Sequence, residues 1–525
     1  MKRRDFIKSS LPVGAILPSL INGFALKAFG LNSSLMNSLL NPVTDTDHVL
    51  VLIQLSGGND GINTVIPLEY FDNYVNARPN IYIPQEKVLS LTGTHKIGLN
   101  PSMTGLQSLY NDGMLKIIQS VGYPQPSFSH FRATDIWMSA SDSTQVVNSG
   151  WAGRYLNYEY PNFPNGYPNS TMADPLAIQI GSVTSLTLQG PAVSMGMSIS
   201  NPTNFYNLIN GTQDPVSNTP AGKELAFIRT ISQQTQQYAT VVKNAATSVT
   251  QQVQYPSSNA LADQLKIVAR LIKGGLRTRI YMVNYGSFDT HANQTSSTDT
   301  TIGTHANLLK NVSDAIKAFQ DDLKFLKIDD RVIGMTFSEF GRRIKSNASG
   351  GTDHGAAAPM FVFGKNVLSG VLGDTPAIAS SVSVNDNLPY QYDFRSIYAS
   401  LLSSWLCVKD EDLQQILLKN FQQLPITNGI GCNKSIPNLS GTKLIYNYPN
   451  PFTSTTIINF ITNGGHTLIQ ILDSSGRVVT NLTDKDYTAG SYYINFDGSR
   501  LASGVYYVRL QNMALQQVQA MLKVQ

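Results

Sequence analysis

Charged residues are scarce in this 525-residue chain, at 14% of the total, and they nearly balance, with 38 Lys and Arg against 34 Asp and Glu. So weak a basic excess, without a stripe of Lys and Arg, argues against nucleic acid as the main partner. Asn, Ser, Thr, Gln and Tyr are plentiful instead. That composition fits an exported protein better than a cytosolic one.

Cysteine is also rare, with only Cys407 and Cys432. Neither has a CxxC neighbour, so zinc held by thiolates is not expected. The pair could form a disulfide in an oxidising compartment or remain as two buried thiols, and the sequence leaves both open. GxSxG and HExxH motifs do not occur, which leaves little support for an acyl hydrolase or a peptidase.

Long apolar runs are missing as well. The segment from Leu11 to Phe29 is interrupted by proline and glycine, so neither it nor any other segment is expected to span a membrane, and a soluble mature protein is predicted. It follows a basic start with paired arginines, Arg3 and Arg4. Residues 1 to about 30 therefore resemble a twin-arginine signal peptide, which implies export of folded protein by the twin-arginine machinery.

Short apolar runs typical of buried strands recur between residues 45 and 430, and helical patterns separate them. The runs lie at 48–55, 115–121, 279–285, 332–337 and 358–363. A helical pattern covers 222–276, and a strongly amphipathic one begins at His305. Residues 160–276 are predicted to form an irregular cap or insertion followed by helices. The alternation predicts an α/β fold with a doubly wound, mostly parallel sheet and flanking helices.

Side chains that can bind metal follow these runs, at the edge where open α/β sheets place their ligands. They are Asp60, Asp289, His291, Glu339, Asp353 and His354. His305 is a further candidate, although alone it is more often a helix-start residue, and His130 falls within the same polar clusters. Carboxylates mixed with imidazoles suit one or two divalent ions: zinc, manganese, calcium or magnesium.

A turn rich in hydroxyl groups follows the second run, where a helix is expected to begin. Ser127 and Ser129 lie in this turn. A helix N-terminus stabilises anions and can activate a hydroxyl nucleophile, but a serine at this position can equally be an N-cap. The sequence leaves these two roles open.

Six stretches resemble a bacterial family, the one filed as domain of unknown function 1501, within the alkaline phosphatase-like superfamily. They are LIQLSGGNDGINTVIPL, GYPQPSFSHFRATDIW, YGSFDTHANQ, TFSEFGRR, GTDHGAAAPMFVFG and DFRSIYASLLSSWL, between residues of about 50 and 406. The resemblance implies that Asp60, Asp289, His291 and His354 bind metal and that Ser129 or Ser127 is the nucleophile.

This chain departs from the superfamily at one place. Where the superfamily usually has Asp-His, the chain has Glu339-Phe340. Because a phenylalanine cannot bind metal, a second cation is expected to be weakly held, differently coordinated or absent, unless Asp353 or His305 compensates.

The last segment, residues 442–525, alternates short apolar runs with Gly, Asp and Asn turns, which predicts a small antiparallel β-sandwich. Its stretches YNYPNPFTSTTIINF, ILDSSGRVV, TAGSYYINFDG and LASGVYYVRL resemble a type IX secretion sorting domain of the Bacteroidetes. The resemblance implies transit through the type IX machinery to the surface or exterior of a Gram-negative bacterium. An Ig-like carbohydrate-binding module is the alternative.

These patterns together predict a secreted or cell-surface metal-dependent hydrolase of phosphate or sulfate esters, acting on a small-molecule or glycan ester. Ser129 would attack in line, and Arg342 would neutralise charge on the equatorial oxygens. The alternative is a catalytically inactive member of the superfamily that acts as a surface binding protein, for instance for glycans.

Overall fold

A computed structural model describes residues 20–21, 24–25, 46–200, 238–429, 432, 443–448, 450–512 and 515–524. The predicted signal peptide lies outside these residues, apart from a short antiparallel strand pair, Leu20–Ile21 with Phe24–Ala25. No helix in the described part of the chain is long and apolar enough to cross a membrane.

Within residues 46–200 and 238–429, strands and helices follow one another along the chain, including a helix at residues 238–248 besides the labelled elements. In order, the labelled elements are β1 Val49–Leu55, α1 Gly61–Thr64, β2 Val65–Ile66, α2 Phe71–Ala77, β3 Leu89–Leu91, β4 Thr94–Leu99, α3 Thr104–Asn111, β5 Leu115–Gly122, α4 His130–Ser139, α5 Trp151–Glu159, β6 Ala177–Ile180, β7 Gly196–Ile199, α6 Ala260–Lys273, β8 Ile280–Tyr285, α7 Thr304–Phe325, β9 Val332–Phe337, β10 Gly341–Arg342, β11 His354–Gly355, β12 Ala358–Phe363, β13 Gly370–Leu372, β14 Tyr392–Asp393, α8 Phe394–Ser404 and α9 Leu413–Leu417.

The main sheet has the strand order β13–β5–β12–β9–β1–β8–β6–β7, and β14 also pairs with β5. Its centre is parallel, because β1 pairs in parallel with both β9 and β8. Strand β12 is the exception and runs antiparallel to β9 and β5. Its amino end therefore lies at the edge where its neighbours have their carboxyl ends.

Each face of the sheet is covered by helices. Val49, Val51 and Ile53 of β1 pack into one core with α3, α6 and α7, whereas the alternate residues Leu50 and Leu52 pack into a second core with α4, α5 and α8. A strand buried on both faces is expected to be a nearly continuous apolar run, as β1 is apart from Gln54. The prediction of a doubly wound, mostly parallel α/β fold is confirmed.

Two parts of the secondary-structure prediction differ from the structure. Within 160–215, β6 and β7 extend the main sheet instead of belonging to an irregular cap. Within 222–276, the described helices are residues 238–248 and α6, and the segment between them is not helical. Pro256 cannot continue a helix. The Asn259 side chain caps α6 by accepting from the backbone N–H groups of Leu261 and Ala262. The break between the two helices is therefore encoded locally.

The C-terminal module is all-β, as predicted. Its strands are β15 Lys443–Tyr448, β16 Thr455–Leu472, β17 Val478–Asp497, β18 Gly504–Asn512 and β19 Leu515–Lys523. They form one antiparallel sheet in the order β15–β16–β18–β19, with β17 along β16. Phe460, Ile471 and Val508 belong to its own hydrophobic core.

Candidate metal centre

Five chain segments meet at the carboxyl edge of the main sheet. The loops after β1, β8 and β9 contribute residues 56–60, 286–291 and 338–340, the turn after β5 leads to His130, and β11 contributes His354 just before β12. Parallel strands place their carboxyl ends together, and the reversed β12 adds its amino end to the same edge. This topology explains how residues more than 200 positions apart come together.

Asp289 lies at the centre of this cluster. Its Oδ1 is 2.7 Å from Arg342 Nη2, 3.1 Å from His291 Nε2 and 3.2 Å from His354 Nε2, and its Oδ2 is 3.4 Å from His130 Nε2. Partial burial acts to raise the pKa of Asp289, but the hydrogen bond and the positive charge of Arg342 outweigh it and hold the pKa at about 2. The carboxylate is therefore ionised at neutral pH.

The three imidazoles each have their Nδ1 atom beside an oxygen. The pairs are His130 with Glu339 Oε1 at 2.9 Å, His354 with the Phe128 carbonyl at 2.8 Å and His291 with Asp353 Oδ1 at 3.1 Å. Carbonyl and carboxylate oxygens can only accept, so we assign the proton of each neutral ring to Nδ1. The lone pair of each ring then lies on Nε2.

The three Nε2 atoms all lie beside the Asp289 carboxylate, those of His291 and His354 near Oδ1 and that of His130 near Oδ2. The Nε2 atoms of His291 and His354 are only 2.9 Å apart, and both lie near Asp289 Oδ1. Acceptor atoms at such distances repel unless a cation lies among them. A divalent metal fits this donor set, because neutral imidazoles with a carboxylate suit zinc or manganese. His130, Asp289 and His354 each have a ligand atom within 4.8 Å of the other two.

Glu339 lies behind His130 and does not face the convergence point. Its side chain is 3% exposed, and its Oε1 also accepts from the Gly57 backbone N–H at 2.8 Å. Asp353 has the same relation to His291. Carboxylates in this position orient a ligating imidazole and make it more basic. The structure thus places Glu339 and Asp353, both predicted as metal ligands, where they accept from the imidazoles and orient them.

Arg342 is fully buried, and its guanidinium points into the protein. It donates from Nε to Gly58 O, from Nη1 to Thr352 O, and from Nη2 to Gly57 O, Phe288 O and Asp289 Oδ1. These bonds tie the loops after β1 and β8 together and fix Asp289. The arrangement does not fit the predicted contact with a substrate's equatorial oxygens, because the donors are already engaged.

Asp60 is separated from the cluster by its own buried ion pair. Its Oδ2 accepts from Arg78 Nη1 and from Gln294 Nε2, both at 2.6 Å, and neither member of the ion pair has an exposed side chain. Burial acts to raise the pKa of Asp60, but the Arg78 charge outweighs it and the pKa is lowered. The structure therefore places this predicted metal ligand opposite a guanidinium and not among the imidazoles.

His305 belongs to the same inner network as Asp60. It is 1% exposed, and its Nε2 is 2.9 Å from Asn59 Oδ1. Burial, offset in part by the Asp60 charge, lowers its pKa to about 4. It is a neutral structural histidine at pH 7, and not one of the converging imidazoles.

Phe340 forms an apolar floor beneath the cluster. Its ring centroid is 4.3 Å from that of His354 and 5.0 Å from that of His130. The ring also packs against Gly58, where an added Cβ would come within 2.2 Å of it. Phe340 therefore borders the cluster with an apolar ring and supplies no ligand atom.

Ser129 is the N-cap residue of α4, but its side chain makes no capping hydrogen bond. Its neighbours on either side, Phe128 and His130, both contact the cluster. The hydroxyl of Ser127 instead accepts from the Ser129 backbone N–H at 3.3 Å. Of the two predicted nucleophiles, Ser129 is therefore the one whose hydroxyl is less engaged.

His130 is the member of the cluster that the predicted ligand set lacked. The available signal was its place among the clustered histidines, at the start of α4. Its supporting partner, Glu339, lies 209 residues later, and no local pattern connects the two.

The fold and the cluster define a doubly wound α/β protein with a histidine–carboxylate centre at the carboxyl edge of its sheet. Residues 47–394 match the family described as "Protein of unknown function (DUF1501)", and the chain belongs to that family, as predicted. Residues 446–524 match the secretion system C-terminal sorting domain. This match confirms the predicted export to the cell surface or the extracellular space.

Solved structures give weaker similarities. One is a protein in the alkaline phosphatase superfamily from Vibrio parahaemolyticus, with 10% identity, a TM-score of 0.34, and coverage of 91% of this chain and 82% of that chain. Another is the PsFucS1 sulfatase from Pseudoalteromonas sp., with 10% identity, a TM-score of 0.34, and coverage of 88% and 86%. Similarities at these TM-scores do not define an activity. No curated protein matches the chain.

Proposed function

We propose that the chain is an exported metal-dependent hydrolase of phosphate or sulfate esters. The observation that carries the proposal is the convergence of three imidazole lone pairs on the ionised Asp289 carboxylate. His130, His291, His354 and Asp289 would hold one divalent ion. When bound, that ion would polarise the ester and stabilise charge that develops on its oxygens.

Ser129 is the proposed nucleophile, and its position supports this role. The first N–H groups of α4 have no intrahelical acceptor, and the Ser129 side chain does not cap them. They are therefore available to an anionic ester group, which the positive end of the helix dipole also favours. Ser129 directly precedes these N–H groups in the chain, so its hydroxyl would lie beside an ester bound there.

Arg342 and Glu339 act on the site from within the protein. Arg342 holds Asp289 in place through the Oδ1 contact. Glu339 keeps the His130 proton on Nδ1, so that Nε2 remains available. We propose both as positioning residues.

The test uses the full chain, stripped of metal and reloaded with zinc, manganese, calcium or magnesium, against a panel of phosphate and sulfate monoesters. Ser129→Ala is expected to lower turnover by about a thousandfold or more, as loss of a nucleophile does. Ser127→Ala is the matched control and should change turnover only a few-fold, by about threefold at most. Equal turnover in wild type and Ser129→Ala would contradict the proposed nucleophile.

A surface binding protein without turnover is the second candidate. The buried guanidinium of Arg342 favours it, because its donors bond to backbone carbonyls and to Asp289 and so do not face a substrate. Stoichiometric metal with no turnover on any ester, together with retention of glycans, would support this candidate over the hydrolase.

A further inference from the structure

Cys407, Cys432 and His48 form a second group of metal-capable side chains, at the opposite end of β1 from the candidate metal centre. The two cysteines are joined by a disulfide. One ring nitrogen of His48 and the two sulfurs lie within 4.8 Å of one another. All three residues are buried, with exposed fractions of 7%, 0% and 2% for His48, Cys407 and Cys432.

His48 is fixed by contacts that do not involve sulfur. Its ring stacks on Trp405, with centroids 3.7 Å apart and planes within 6°, and its Nδ1 is 2.7 Å from the Trp405 carbonyl. The indole Nε1 in turn donates to Val49 O at 3.0 Å. The imidazole is therefore held beside the sulfurs whether or not they are bonded to each other.

A backbone oxygen completes the group. The Trp405 carbonyl oxygen is 3.9 Å from Cys407 Sγ as well as close to His48. Two sulfurs and an imidazole nitrogen thus make three mutually close donors, and the carbonyl oxygen lies beside one of the sulfurs. Zinc and related ions prefer four-coordinate sites with sulfur and nitrogen ligands.

We propose that the reduced form of this cysteine pair, with His48, is a buried binding site for a thiophilic divalent cation such as zinc or cadmium. Two thiolates buried without a counter-charge would be strongly disfavoured, and a divalent cation supplies that charge. Formation of the disulfide removes both thiolates and releases the cation. The site is thus switched by oxidation and is independent of the proposed hydrolase activity.

The switching step balances with a disulfide as the oxidant. The two metal–sulfur bonds break, and the Cys407–Cys432 bond forms with loss of two electrons. The S–S bond of the oxidant takes up these electrons and two protons to give two thiols, and the metal leaves as the divalent cation. An exported chain passes from a reducing to an oxidising compartment, which is the change that this step requires.

The experiment titrates the full chain with cadmium after anaerobic reduction, and follows the ultraviolet charge-transfer band that arises only when thiolate binds cadmium. The histidine–carboxylate centre contains no sulfur and cannot give this band. Reduced wild type should develop the band and saturate it at about one ion per chain. Oxidised wild type should lack it, and oxidised glutathione should abolish it with release of cadmium.

Two variants test the composition of the site. Cys407→Ser with Cys432→Ser should lack the band, and His48→Gln should bind cadmium at least about tenfold more weakly, since it loses a ligand. His95→Gln, at an exposed position, is the matched control and should bind as wild type does. Circular dichroism establishes that each reduced form is folded.

Three results would overturn the proposal. They are a folded, reduced wild type without the thiolate–cadmium band, a chain that unfolds on reduction, and a folded His48→Gln variant that binds cadmium as tightly as wild type.

Discussion

Replacing Glu339 by glutamine should weaken metal binding without unfolding the protein. In the native chain, Oε1 of Glu339 accepts from His130 Nδ1 at 2.9 Å and from Gly57 N at 2.8 Å. A glutamine carbonyl can accept both bonds with the same geometry. The substitution therefore removes the negative charge behind His130 and leaves the packing unchanged.

The expected size of the effect follows from that charge. A hydrogen bond to a charged group contributes about 1.5 to 3 kcal/mol, compared with about 0.5 to 1.5 kcal/mol between neutral groups. Losing the charge should therefore cost about 1 to 1.5 kcal/mol of metal binding, a decrease of about tenfold in affinity. This is the lower end of the range for groups that orient a ligating histidine.

The assay is competition with a chelator for zinc or manganese, on wild type and Glu339→Gln at the same pH. Glu86→Gln, at an exposed glutamate, is the matched control and should bind metal as wild type does. Unchanged affinity in a folded Glu339→Gln variant would refute the idea that this carboxylate supports His130.

Other predictions distinguish the histidine–carboxylate cluster around Asp289 from the buried network around Asp60. Asp289→Asn should bring the metal content close to zero, as elemental analysis measures. Asp60→Asn should keep the metal but destabilise the fold by about 3 to 5 kcal/mol in calorimetry, because Arg78 stays buried without its counter-charge. A metal-free Asp60→Asn variant would contradict the assignment of Asp60 to a network outside the metal centre. The folded-state pKa of His305 is about 4, below its ordinary 6.5. Between these pH values the unfolded chain binds a proton that the folded chain does not, so acidification should cost the metal-free protein roughly 3 kcal/mol. Urea unfolding at several pH values measures this loss, which should be smaller in His305→Asn; an equal loss would exclude His305 as its source.

The strongly patterned elements of the fold were predictable. Strands β1, β8 and β9 are short runs of apolar residues, and α7 has a clear apolar stripe, so their type follows from burial. The antiparallel direction of β12 could not be predicted from the sequence, because a buried apolar strand has the same residue pattern in parallel and antiparallel pairing. Strands β6 and β7 were missed because they are only four residues long and lie in a polar, proline-rich segment.

The candidate site was predictable only in part, for a similar reason. Strand ends indicated Asp289, His291 and His354, which the structure brings together, but their role as ligands remains a prediction. Asp60 also follows a strand, yet Arg78 returns from α2 to neutralise it. Such pairings depend on tertiary contacts that local spacing does not encode.

The central claim is that His130 and its neighbours hold one divalent ion, and elemental analysis of purified full-length protein tests it most directly. Wild type and His466→Ala, a variant of an exposed histidine in the C-terminal module, should each carry about one ion per chain, whereas folded His130→Ala should carry almost none. Equal metal content in His130→Ala and wild type, or no metal in wild type after reloading, would contradict the account.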